Sequence, residues 1–200
     1  MGFNISGIAI GAGYENKLEK LQEDLVLNFE FEKDVIFEEA SANWTDEDVA
    51  FVYFLEKSTL IFISMDRCAH SYPIRDVDTL TFAICETSMA FNLCFEGKDG
   101  SERNIMEVEG RPPMEDGTPF PYESECGDTS EIIWKKLDEV LDVPFHEIDL
   151  GAKAKKYKII PRKVEPVIEE KLAEIGKEPQ DSTLAEMDAL WDAVKAAEKR

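Results

Sequence analysis

Short apolar runs and charged segments alternate along this chain, and the spacing of the apolar positions switches between about two and about four, so strands and helices should interleave. Phe3 to Ile10 is an apolar strand-like run closed by Gly11-Ala12-Gly13. Tyr14, Leu18, Leu21 and Leu25 then recur at helical spacing among charges, which predicts an amphipathic helix. Leu27, Phe29 and Phe31 alternate with Asn28 and Glu30, the period of a half-buried strand. Val49 to Leu55 and Leu60 to Met65 are separated only by Glu56-Lys57-Ser58-Thr59, and this predicts a hairpin. Leu80 to Cys85, Met89 to Phe95 and Arg103 to Val108 read as three further strands, the last two joined across the turn dipeptide Asp99-Gly100. Arg111 to Gly127 holds Pro112, Pro113, Pro119 and Pro121 and reads as a long loop. Asp128 and Glu131 have the spacing of a capping box before a helix carrying Ile133, Leu137 and Val140.

These elements predict an α+β fold: a largely antiparallel sheet with flanking helices, covered on one face, followed by a C-terminal helical hairpin. In that hairpin Pro166 opens a helix with Ile168, Leu172 and Ile175 on one stripe, and Gly176 ends it. Thr183 and Glu186 cap a second helix carrying Leu184, Met187, Leu190, Trp191 and Val194. Two helices bury little alone, so they are expected to pack on the preceding residues or to pair in a homodimer. The expected division is an acidic α+β domain over 1–150, a basic connector over 151–163 and a helical tail over 164–200.

Charge sharpens that division. The 200 residues carry 22 basic and 43 acidic side chains, a net −21, yet residues 1–150 hold −22 of it and residues 151–200 come to +1. A strongly negative body repels the phosphates of nucleic acid and an anionic membrane surface, so neither is an expected partner. Complementary charge makes a basic protein the expected one. The first residues lack the basic region of a signal peptide, and the four cysteines form no C-x-x-C pair, so reduced thiols in the cytoplasm are expected.

The run Val167-Ile168-Glu169-Glu170-Lys171-Leu172-Ala173-Glu174-Ile175-Gly176-Lys177 and the later Leu184-Ala185-Glu186-Met187-Asp188-Ala189-Leu190-Trp191 resemble the C-terminal helices of MazG-type nucleoside triphosphate pyrophosphohydrolases. The resemblance covers residues from about 164 to 194. It implies an all-helical, usually dimeric nucleotide-hydrolysing relative that holds Mg2+ with E-x-x-E and E-x-x-D motifs; Glu139-Val140-Leu141-Asp142 has the second form.

Four groups of residues are candidate sites. Gly11 and Gly13 lie between a strand and a helix, where backbone amides bind phosphate, and Lys155, Lys156, Lys158 and Arg162 belong to a basic run that suits the same ligand. The same run also fits an internal clamp against the chain's own acids, which is the favoured reading. Cys68 and His70 are spaced for thiolate or metal chemistry after a strand. Asp46, Glu47, Asp48, Glu115 and Asp116 are dense carboxylates suited to a basic partner or to solvent. No cofactor is expected unless nucleotide hydrolysis brings Mg2+. The expected function is a non-enzymatic binding or regulatory protein, like a small acidic inhibitor or immunity protein, with a nucleotide-binding or pyrophosphohydrolase role as the alternative.

Overall fold

The computed structural model describes residues 3–160. Its first strand, β1 (Asn4–Ile10), is buried at all seven positions. It is followed by α1 (Leu18–Leu25), β2 (Asn28–Ile36), the single turn α2 (Phe37–Ala40), and the hairpin β3 (Val49–Phe54) and β4 (Thr59–Phe62). A 3-10 turn at Met65–Cys68 leads to β5 (Thr79–Cys85), β6 (Ala90–Glu96), β7 (Glu102–Val108) and β8 (Met114–Gly117). Then come α3 (Thr129–Leu141) and β9 (Lys153–Ile160). All nine strands join one sheet in the order β2-β9-β3-β4-β1-β5-β6-β7-β8, and every neighbouring pair is antiparallel.

β1 lies at the centre because it is apolar on both of its sides, and both sides are covered. On one face Ile5, Ala9, Leu60, Phe62, Phe82 and Leu93 pack with Phe37 of α2 and with Ile133, Leu137 and Leu141 of α3. On the other, Ile8, Ile10, Val52, Ile61 and Ala83 pack with Leu21 and Leu25 of α1 and with Cys68 and Tyr72. α3 starts where its cap predicts: the Asp128 carboxylate accepts from the Glu131 amide, and Glu131 in turn accepts from the Gly127 amide.

The expected fold class is corrected by this arrangement. A single nine-stranded antiparallel sheet dominates, and α1, α2 and α3, of 8, 4 and 13 residues, are patches on it rather than flanking layers. The sheet is covered on both faces at its centre instead of on one. Sheet-plus-helix composition stands; the weight given to helices does not. The predicted helical hairpin, with the MazG-like segment and its dimer contact, lies outside the described residues.

The stretch expected to be a basic connector supplies β9, which enters between β2 and β3 as an interior strand. Its pattern explains this: Tyr157 and Ile159 alternate with Lys156 and Lys158 and bury on the α1 face, while Ala154 buries on the opposite face. The sheet-bearing unit accordingly includes β9. Among the described residues, no helix is long and apolar enough to cross a membrane.

Candidate binding trough at the open end of the sheet

The α1-face core stops at β5. Among the described residues it contains no side chain of β6, β7 or β8, so that end of the sheet is packed on one face only. Register fixes what the open face presents. Cys94, Asn104 and Asp116 stand directly opposite one another across β6, β7 and β8, and Asn92, Met106 and Met114 form the adjacent row. Side chains paired this way lie about 5 Å apart. Ala69, His70 and Ser71 form a wall along one side, enclosing a cavity of about 330 Å³. A second cavity of about 170 Å³ shares Ala69, Asn92 and Met106 with it and continues over Ala90 and Val108. Together they make a trough with a methionine-lined floor; Met114 on the rim is 65% exposed and Met106 36%.

The charge of this trough is one-signed. Asp116 is the carboxylate that register places on this face, Glu107 and Glu115 alternating to the other, and no lysine or arginine lines either cavity. Glu115 is taken by Arg103 on the opposite face, and Glu107 accepts a hydrogen bond from the Thr129 hydroxyl. The Asp116 carboxylate has no hydrogen bond or ion pair among the described residues. Asn92 donates its amide to the Cys68 carbonyl at 2.6 Å, which leaves its side-chain oxygen as an acceptor.

β8 is held in place from behind. Arg103 is 3% exposed, and its guanidinium donates to both oxygens of Glu123 at 2.9 and 2.7 Å and to the Asp116 carbonyl at 3.3 Å. Burial alone would raise the Glu123 carboxyl, but the Arg103 guanidinium and the Phe120 amide hold it below the usual carboxylate range. Lys136 adds a second tie, its ammonium lying 4.0 Å from the Phe120 ring centroid and 4.5 Å from that of Phe95. The proline-rich stretch expected to be a loop is thus fastened at several points and supplies an edge strand.

The sequence-predicted candidates separate in space. The Gly11 amide donates to the Asp78 carbonyl at 2.8 Å, and a Cβ at Gly13 would sit 2.4 Å from the Glu56 carbonyl oxygen. These glycines permit close backbone approach, and the Gly11 amide is not free for a phosphate. Lys155, Lys156 and Lys158 lie on β9, separated from β1 by β3 and β4. Lys156 pairs with Glu32 at 2.9 Å, and Lys158 stands opposite Glu30 in the β2–β9 register. Arg162 lies outside the described residues.

Cys68 is buried under the trough wall, its thiol facing the Gly7 carbonyl at 3.8 Å. Burial pushes that thiol up to about 12, which disfavours the thiolate. His70 stands exposed on the other side of the same turn with its ring on Tyr72, 4.9 Å between centroids. Nucleophilic pairing of the two is not what this turn builds. Among the described residues no three His, Cys, Asp or Glu side chains gather to hold a metal ion. Glu139 and Asp142, the E-x-x-D pair, engage Lys136 and Lys57 respectively.

The carboxylate candidates divide between the two ends of the sheet. Asp46, Glu47 and Asp48 form the exposed turn before β3, close in sequence to Trp44, which is 60% exposed. Glu115 and Asp116 belong to β8, six strand positions away, or roughly 29 Å at about 4.8 Å per strand. They do not make one acidic face. Asn92, Asn104, Met106 and Met114 were not among the predicted site residues. The alternation of residues 90–96 and 102–108 around Asp99-Gly100 carried the signal, because it places Asn104 opposite Cys94 once the hairpin closes. Comparison of the chain with protein-family models, with curated proteins and with solved structures finds no match in any of the three.

Proposed function

We propose that this chain is a binding protein that recognises a basic protein partner through the open end of its sheet, in the manner of a small acidic inhibitor. One observation carries this reading: an apolar trough, uncovered on one face, with the unpaired Asp116 carboxylate on its rim and no lysine or arginine lining it. Exposed methionines supply adaptable apolar contact. The unpaired Asp116 supplies the charge that selects a cation, and the net −22 of residues 1–150 steers such a partner from a distance. Asp46, Glu47 and Asp48 offer a second, separate acidic contact.

Affinity capture from a native lysate at about 0.1 M and about 1 M salt tests the proposal, since screening shortens from about 10 Å to about 3 Å between them. A basic protein retained at the lower salt and released at the higher one is the expected result. Retained proteins that are acidic, or retention indifferent to salt, would overturn it.

A further inference from the structure

Within that proposed binding role, we infer that the trough is a receptor for a single arginine side chain of the partner. The two cross-strand rows are what point to it. The row Cys94–Asn104–Asp116 is polar and ends in an unpaired carboxylate, while the neighbouring row Asn92–Met106–Met114 is mostly apolar. A long aliphatic stem lies along Met106 and Met114 while its head turns into the polar row. Such a division of one side chain between apolar and polar surface is what lysine and arginine do.

The distribution of acceptors selects between those two. The Asp116 carboxylate is on β8, the Asn104 amide oxygen on β7 and the Asn92 amide oxygen on β6, so acceptors lie on three strands rather than around one point. A guanidinium presents five N–H groups in a planar fork and can reach several spaced acceptors at once. A lysine ammonium concentrates three donors at one atom. The methionine floor also favours the more weakly hydrated cation. The cavity of about 330 Å³, between the wall at His70 and Ser71 and the edge strand β8, has room for such a side chain. Arg103 is on the opposite face and committed to Glu115 and Glu123, and Arg67, near the wall, donates to the Glu47 carbonyl, so neither occupies the trough.

The test uses the full chain and three fluorescein-labelled peptides in a glycine-serine frame, differing only in a central arginine, lysine or citrulline. Citrulline keeps the shape and loses the charge. Fluorescence anisotropy should show the arginine peptide bound at least about tenfold more tightly than the citrulline one, with lysine between them. Asp116→Asn should abolish that preference, while Glu147→Gln, exposed in the turn after α3, leaves it intact. Equal binding of the arginine and citrulline peptides, or a wild-type preference in Asp116→Asn, overturns the inference. Its failure is separable from failure of the basic-partner reading. Salt-sensitive capture of a basic protein that survives Asp116→Asn removes the trough assignment alone. Absence of both peptide preference and basic protein removes both.

Discussion

The two ends of the sheet spend their charges differently. At the β2–β9–β3 end, acids and bases meet within the chain: Glu32 pairs with Lys156, Lys33 with Glu39, and Glu30 faces Lys158 across the strands. At the β6–β7–β8 end the buried Arg103 turns to the α3 face and takes Glu115 and Glu123 with it, leaving Asp116 unmatched on the other. The first end closes on itself and the second stays open. Net charge alone does not locate a binding surface; what matters is which charges are already answered internally.

Connectivity differs as well. β5 to β8 form a meander of successive hairpins, so that end depends on local pairing. β2 reaches the sheet only through β9, which comes from the far end of the described chain. The Tyr157 ring joins the two by packing on Phe29 and Phe31, with centroids 5.7 and 5.8 Å away. Tyr157→Ala should therefore cost about 4 kcal/mol and lower hydrogen-exchange protection in Asn28–Ile36 well before Ala90–Val108. Equal loss of protection in both regions would show that the ends are not independent.

Next in size is Arg103→Ala. It leaves Glu123 buried without its partner and should cost about 3 kcal/mol in chemical denaturation. The double change Arg103→Met with Glu123→Gln should recover part of this, because no uncompensated charge remains. Its pH counterpart follows from the direction of the Glu123 shift. A carboxyl held below its ordinary 4.5 in the folded state adds stability that is fully present above that value and lost as pH falls through the folded one. Between neutral pH and pH 3, wild type should therefore lose stability more steeply than Glu123→Gln.

The smallest stability effects separate structure from recognition. Lys156→Ala removes a partly exposed ion pair and should cost under about 1 kcal/mol. Asp116→Asn should leave the melting temperature unchanged, since its carboxylate bonds nothing within the described chain, while abolishing the arginine preference. A fall in melting temperature with Asp116→Asn would assign that residue to the β8 fastening instead.

Local signals were legible wherever neighbours in sequence are neighbours in space. The hairpin of β3 and β4, the turn at Asp99-Gly100 and the Asp128 cap of α3 all sit where residue type and spacing place them. β8 was hidden because it is four exposed residues, three of them Glu115, Asp116 and Gly117, set between prolines. β9 was hidden because four lysines mask the alternation of Ala154, Tyr157 and Ile159. Both belong to pairings whose partners decide them. The trough suffered the same way: Asn92 and Asn104 were ordinary strand residues until register set them beside Met106 and Asp116.

By itself the sequence determined the strand-rich body, the capped helix and the confinement of the negative charge to residues 1–150, because periodicity, turn chemistry and composition are local properties. Only the tertiary structure decided that β9 closes the gap between β2 and β3. The same is true of the covering of β1 on both faces and of which carboxylates are consumed by internal cations. Those outcomes depend on strand pairing between distant segments, and the charge of a side chain does not say which face of the sheet it will occupy.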